Sequence, residues 1–131
     1  MAGKRCLSRE ILGSGAFTSL PPRAQLLYIQ MVFEADGDGV VANIVPAMAY
    51  AGASKKDLKT LVDARFVLEA GRVWVVKHWW IHNTFRRDRY KPSAWTEDLE
   101  RLYVREDGVY TDHPDAGREA FLEACRKRKE G

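Results

Sequence analysis

Between Pro21 and Lys77 the apolar residues recur at regular steps, and the kind of step changes in a set order. After Pro21-Pro22, Ala24, Leu27, Tyr28, Met31, Val32 and Ala35 recur every three or four residues, which predicts a helix with one buried stripe. Proline suits the first turn because that N–H has no intrahelical partner anyway. Asp36-Gly37-Asp38-Gly39 ends the helix, and Val40-Val41-Ala42 reads as a short strand. Asn43 caps a second short helix with Ile44, Ala47 and Met48 inward, and Gly52 stops it. Ser54-Lys55-Lys56-Asp57 has the spacing of a capping box, with aspartate in the acidic place. A third helix therefore runs from there to Arg65, burying Leu58, Leu61 and Val62. Residues 66–69 and 72–77 follow as two strands around the tight turn Ala70-Gly71, where glycine supplies any positive φ.

Helix, short strand, helix, helix, strand, turn, strand is the order of a winged helix-turn-helix, an α+β fold. Residues 1–95 are assigned to that domain. It is preceded by an alternating stretch at residues 4–8 and by one helical turn that Gly13-Ser14-Gly15 ends. Residues 96–131 form an extension. There Tyr103-Val104-Arg105 and Val109-Tyr110-Thr111 flank Glu106-Asp107-Gly108 as a β-hairpin, and residues 115–129 carry a thin helical stripe. A chain of 131 residues has room for one such domain with a small appendage. No apolar run reaches bilayer length, so no membrane partner is expected and the cytoplasm is the expected compartment. Cys6 and Cys125, isolated and far apart, read as free thiols of a reducing compartment.

Charge is distributed unevenly. The formal net charge is only +3, yet residues 77–91 alone carry +4, from Lys77, Arg86, Arg87, Arg89 and Lys91 against Asp88. Trp74, Trp79, Trp80 and Trp95 all fall within or beside this stretch. Cations beside flat aromatics suit a nucleic acid, either by pinning phosphates or by stacking on unpaired bases. Most of the tryptophans are nevertheless expected in the core of the strand and its extension. Lys55, Lys56 and Lys59 lie on the solvent side of the third helix, two of them in its first turn, where they oppose the helix dipole. A phosphate would offset that opposition, and in helix-turn-helix proteins this helix enters the major groove. Arg72 stands at the tip of the ribbon, within reach of a phosphate or a minor groove. The terminal cations at residues 126–129 suit a helix C-terminus without any partner.

Other chemistries lack their residues. Asp36 and Asp38 begin a calcium loop, but Val40 stands at the next ligand place and no glutamate closes it. Gly13-Ser14-Gly15 has neither the spacing nor the Lys-Ser/Thr of a phosphate loop. His78 and His82 sit four apart, but Trp79 replaces the glutamate of the HExxH pattern and further ligands are missing. No nucleophile, base and orienting acid stand together, so neither an enzyme nor a cofactor is expected.

One family resemblance joins these pieces. It runs through Lys4-Arg5-Cys6-Leu7-Ser8, Leu20-Pro21-Pro22-Arg23-Ala24-Gln25-Leu26-Leu27-Tyr28, Ala35-Asp36-Gly37-Asp38-Gly39 and Gly52-Ala53-Ser54-Lys55-Lys56-Asp57-Leu58. It ends in Asn83-Thr84-Phe85-Arg86-Arg87-Asp88-Arg89-Tyr90-Lys91-Pro92-Ser93, the most specific of the set. In that order they resemble the N-terminal domain of phage and prophage replication initiators, or replisome organisers, relatives of the DnaD-type primosome proteins. The resemblance covers about residues 4 to 95 and continues loosely through the hairpin. The family typically has aspartate at the place of Gly37 and isoleucine-arginine-lysine at Phe85-Arg86-Arg87. It implies a winged helix binding double-stranded DNA at an origin, and recruitment of the replicative helicase or its loader through a separate C-terminal region. No such region lies before Gly131, so DNA binding is the firmer expectation of the two.

The expected DNA contacts are Lys55, Lys56 and Lys59 in the recognition helix, Arg72 in the wing, and Asn83, Arg86, Arg87, Arg89, Tyr90 and Lys91 in the basic motif. The competing readings are a protein-interaction module, with the aromatic strand as the seam of a homo-oligomer, and a transcription regulator on the same fold.

Overall fold

A computed structural model of the chain describes residues 5–83, 91–105 and 109–112. It is an α+β structure. Two single helical turns, α1 (Arg9–Leu12) and α2 (Gly15–Thr18), lead into the long helix α3 (Pro22–Glu34). The sequence gives no expectation of α2. It forms because the Ser14 hydroxyl accepts the N–H of Phe17 at 3.2 Å, restarting the helix beyond Gly13 and carrying Phe17 into the core. There Phe17, Tyr28 and Phe66 meet edge to face, with centroids 5.4 to 5.8 Å apart.

Strand β1 (Val40–Val41) follows the turn after α3, and then come α4 (Val45–Ala51) and α5 (Lys55–Asp63). The Asn43 side chain accepts the Val45 N–H at the start of α4. Gly52 ends α4 with φ +62°, a left-handed conformation that costs glycine nothing. The capping box of α5 is present as expected, the Asp57 carboxylate accepting the Ser54 N–H at 2.9 Å.

The hairpin of β2 (Val67–Ala70) and β3 (Val73–Val76) differs from expectation by one residue. Ala70 pairs with Val73, so the turn is Gly71-Arg72, with Gly71 at φ +60°. Strand β1 pairs antiparallel with the other side of β3, giving the sheet order β1-β3-β2. Because β3 is central, with β1 and β2 hydrogen-bonded on its two sides, it offers no free edge between them for a second copy to extend the sheet. Beyond β3 the expected strand extension is instead a helical turn, α6 (Trp79–His82), closed by His82 N–H to His78 O and Asn83 N–H to Trp79 O. The apolar pair Trp79-Trp80 fits either geometry, and Gly39 tips the balance by leaving room for the Trp79 ring against its Cα.

A last turn, α7 (Thr96–Leu99), and the hairpin of β4 (Tyr103–Val104) and β5 (Tyr110–Thr111) complete the described chain. The two strands of that hairpin pair as expected, Tyr103 with Thr111 and Val104 with Tyr110. Described residues beyond 95 pack into the same core. Leu99, Leu102, Val104 and Tyr110 are buried in one cluster with Leu27, Met31, Leu61, Val75 and Trp79. The Tyr110 hydroxyl donates to Asp38 O at 2.7 Å, and its N–H donates to Lys77 O at 2.9 Å. Among the described residues no helix is long and apolar enough to cross a membrane. The helix expected at residues 115–129 lies outside the described residues.

Candidate nucleic-acid interface

Helix α5 is held by Leu58 and Leu61, which are buried in the core. That fixes which residues face outward. Lys55, Lys56 and Lys59 are all exposed. The ion pairs among the described residues are Arg65–Asp112 and Arg72–Asp98, so none of these lysines has an acidic partner there. The one carboxylate in the first turn, Asp57, is turned back onto Ser54. The result is three uncompensated cations on the N-terminal half of a helix. An anionic surface is the natural complement.

Arg72 stands at the tip of the β2–β3 hairpin as expected, but it has a carboxylate partner there. At the hairpin tip its N–H donates to Asp98 Oδ2 at 2.6 Å, its Nη2 to Asp98 Oδ1 at 2.6 Å and its Nε to Oδ2 at 3.2 Å. The guanidinium also lies over the Trp95 ring, 4.9 Å from its centroid. The hydrogen bonds from Arg72 pull the Asp98 carboxyl down to about 2, and Asp98 in turn raises the pKa of Arg72. A β-carbon on Gly71 would meet Asp98 Oδ2 at 2.7 Å, so the α7 turn caps this tip closely. Glu69, Glu97 and Glu100 are exposed nearby in the chain, so Arg72 and the exposed Arg101, whose Nε would lie 3.1 Å from a Gly71 β-carbon, stand among acidic neighbours.

Of the basic motif, Asn83 and Lys91 are described, and Arg86, Arg87, Arg89 and Tyr90 lie outside the described residues. Asn83 is only partly exposed, and its Oδ1 accepts the Cys6 N–H at 3.0 Å. Its amide therefore anchors the N-terminal segment. Lys91 is exposed, with its backbone carbonyl packed against Gly37. Ser93 N–H then donates to Asp38 Oδ2 at 2.7 Å. Asp36 Oδ1 accepts the N–H groups of Asp38 and Val40 at 2.9 and 3.0 Å. The two carboxylates weighed as calcium ligands are thus tied to backbone, and they fix where the chain re-enters after the basic run. Among the described residues no three His, Cys, Asp or Glu side chains gather as a metal cluster.

The other end of the run is held by His82. Its Nδ1 accepts the Ser8 N–H at 2.8 Å, so Nδ1 carries no proton and the neutral ring is protonated at Nε2. Nε2–H then donates to the Tyr28 hydroxyl at 2.5 Å. Burial, with His78 adding to it, pushes the His82 pKa down to about 4, and burial pushes the Tyr28 phenol up. Beside it, Arg5 donates to Ala35 O at 2.9 Å and lies over the Trp79 ring at 5.1 Å. Trp79 itself is buried, with Nε1 donating to Gly37 O at 3.1 Å, and Trp80 Nε1 donates to the Tyr110 hydroxyl at 3.3 Å. Trp79 thus belongs to the core, and Trp80 packs partly buried against it.

The structure thus groups Lys55, Lys56 and Lys59 on one helix and pins both ends of the basic run. Sequence reasoning missed the roles of Arg5, Asp38 and Asp98, whose long-range partners lie 26 to 74 residues away and leave no local pattern. Compared with protein-family models, curated proteins and solved structures, the chain finds no match in any of the three.

Proposed function

We propose that this chain is a winged-helix protein that binds double-stranded DNA, with α5 as the recognition helix. The observation that carries this reading is the set Lys55, Lys56 and Lys59, exposed and unpaired among the described residues, on the second helix of a helix–turn–helix. The turn between α4 and α5 is tight, closed by the left-handed Gly52. The order β1-β3-β2 behind these helices is compatible with a winged helix. In this reading the N-terminal half of α5 lies closest to base edges, and Lys91 with the rest of the basic motif pins phosphates. Arg72 is given no primary role in this reading, because Asp98 holds it at the hairpin tip. A role in replication initiation of phage or prophage type, with recruitment of a helicase or its loader, is drawn from the sequence resemblance and is part of the proposal.

The test is fluorescence anisotropy on labelled duplexes titrated in salt, one set tiling the protein's own gene and flanks and one random. Site-selective binding with a steep salt slope supports the reading. Absence of binding at low salt refutes it.

A further inference from the structure

Helix α3 has two apolar faces. One, carrying Ala24, Leu27, Tyr28, Met31 and Val32, is the core stripe. Leu26 and Phe33, seven residues apart, lie on the opposite side and are 41% and 40% exposed, with Ile29 half-buried between them on the same side. An apolar stripe along the outside of a helix marks a surface that associates.

The charges at the ends of this stripe say what it associates with. Arg23 lies in the first turn of α3 and Glu34 is its last residue, and neither has an ion-pair partner among the described residues. Each is at the wrong end for its own helix, a cation near the positive N-terminus and an anion at the negative C-terminus. An antiparallel second copy of α3 reverses this. Crossing at Ile29 and Gln30, it sets Leu26 against the partner copy's Phe33, and Phe33 against the partner's Leu26. The same crossing brings Arg23 toward the partner helix's C-terminus and Glu34 toward its N-terminus, so every charge meets its complement. We propose that α3 is a self-association surface through which two copies of this chain pair antiparallel, with Leu26–Phe33 contacts at the centre and Arg23–Glu34 pairs at both ends. This pairing is independent of DNA binding and of the central strand β3.

A contact made by one helix of about 20 Å is small, so the dimer is weak, with a dissociation constant on the order of tens of micromolar. Sedimentation equilibrium of the full chain from about 5 to 500 µM tests it. The expected result is a monomer–dimer equilibrium that Phe33→Gln weakens at least about tenfold and that Arg23→Glu or Glu34→Arg alone also weakens, each placing like charges opposite one another. The double reversal Arg23→Glu with Glu34→Arg restores it, and circular dichroism confirms that each variant is folded. A monomer throughout this range overturns the proposal. So does a dimer that neither Phe33→Gln nor the single reversals change.

Discussion

Arg72 and the Asp98 carboxylate clasp each other across the tip of the β2–β3 hairpin, twenty-six residues apart in sequence, through two hydrogen bonds from the guanidinium and one from the Arg72 backbone N–H. A residue that sequence position assigns to a DNA-contacting wing is thereby used to close the fold. Arg72→Ala is expected to lower the melting temperature while leaving duplex affinity within about twofold of the parent, since no phosphate contact is lost. A drop in affinity as large as that of the α5 variants would return Arg72 to the interface.

The same clasp has a pH signature. Asp98 titrates at about 2 in the folded chain against an ordinary 3.8. A depressed carboxylate contributes stability that is fully present above 3.8 and is lost as pH falls from there through about 2. Asp98→Asn removes that contribution. Urea midpoints measured between pH 5 and 2 are expected to fall less steeply in the variant than in the parent.

Lys55, Lys56 and Lys59 make the opposite prediction to Arg72. Replacing all three with glutamine is expected to weaken binding to every duplex and to flatten the salt slope by about 2 to 3. Stability should hold or rise, because two cations leave the positive end of the α5 dipole, each worth some tenths of a kcal/mol. Anisotropy in a salt series together with a thermal melt reads both effects. Loss of affinity accompanied by unfolding would mean that the lysines act through the fold.

Histidine 82 couples the N-terminal segment to the core. Its folded pKa of about 4 lies below the ordinary 6.5, so the unfolded chain takes up the proton first. Its contribution is therefore complete above pH 6.5 and is lost as pH falls toward 4. Protonation at Nδ1 also breaks the bond from Ser8. Nuclear magnetic resonance titration of the ring is expected to give an inflection near pH 4. Tyr28→Phe leaves Nε2–H without its acceptor and is expected to cost about 1 to 3 kcal/mol in urea unfolding. A ring titrating near 6.5 would contradict this arrangement.

Much of the framework is legible because it rests on local rules. The α3 stripe is readable from its three- and four-residue steps, and the Ser54–Asp57 box and Gly52 within a single turn of helix. The turn at Gly15 depends on one hydroxyl, and Trp79-Trp80 carries the same apolar signal as helix or strand. Least legible is the closure of α7, β4 and β5 over the rest of the fold. It depends on Tyr110 finding Asp38 and on Arg72 finding Asp98, pairings that no periodicity announces. The candidate site divides in the same way. Helical spacing places Lys55, Lys56 and Lys59 outward, whereas the roles of Arg72 and Asn83 follow from tertiary partners.

Glycine 37 links this closure to the basic run. Its Cα faces the Lys91 backbone so closely that an added β-carbon would overlap the Lys91 carbonyl. Backbone cannot swing aside as a side chain can, so Gly37→Ala must displace residues 91–93 or the turn after α3. Replacement with aspartate, the residue the resembled family carries here, adds a charge to the same clash, beside Asp36 and Asp38. Both variants are expected to destabilise, alanine by about 1 to 3 kcal/mol and aspartate by more. They should also weaken DNA binding where Gly15→Ala, at a position with open space for a β-carbon, does not. If Gly37→Asp folded with unchanged stability and affinity, the contact between Gly37 and Lys91 would not be what fixes the end of the basic run.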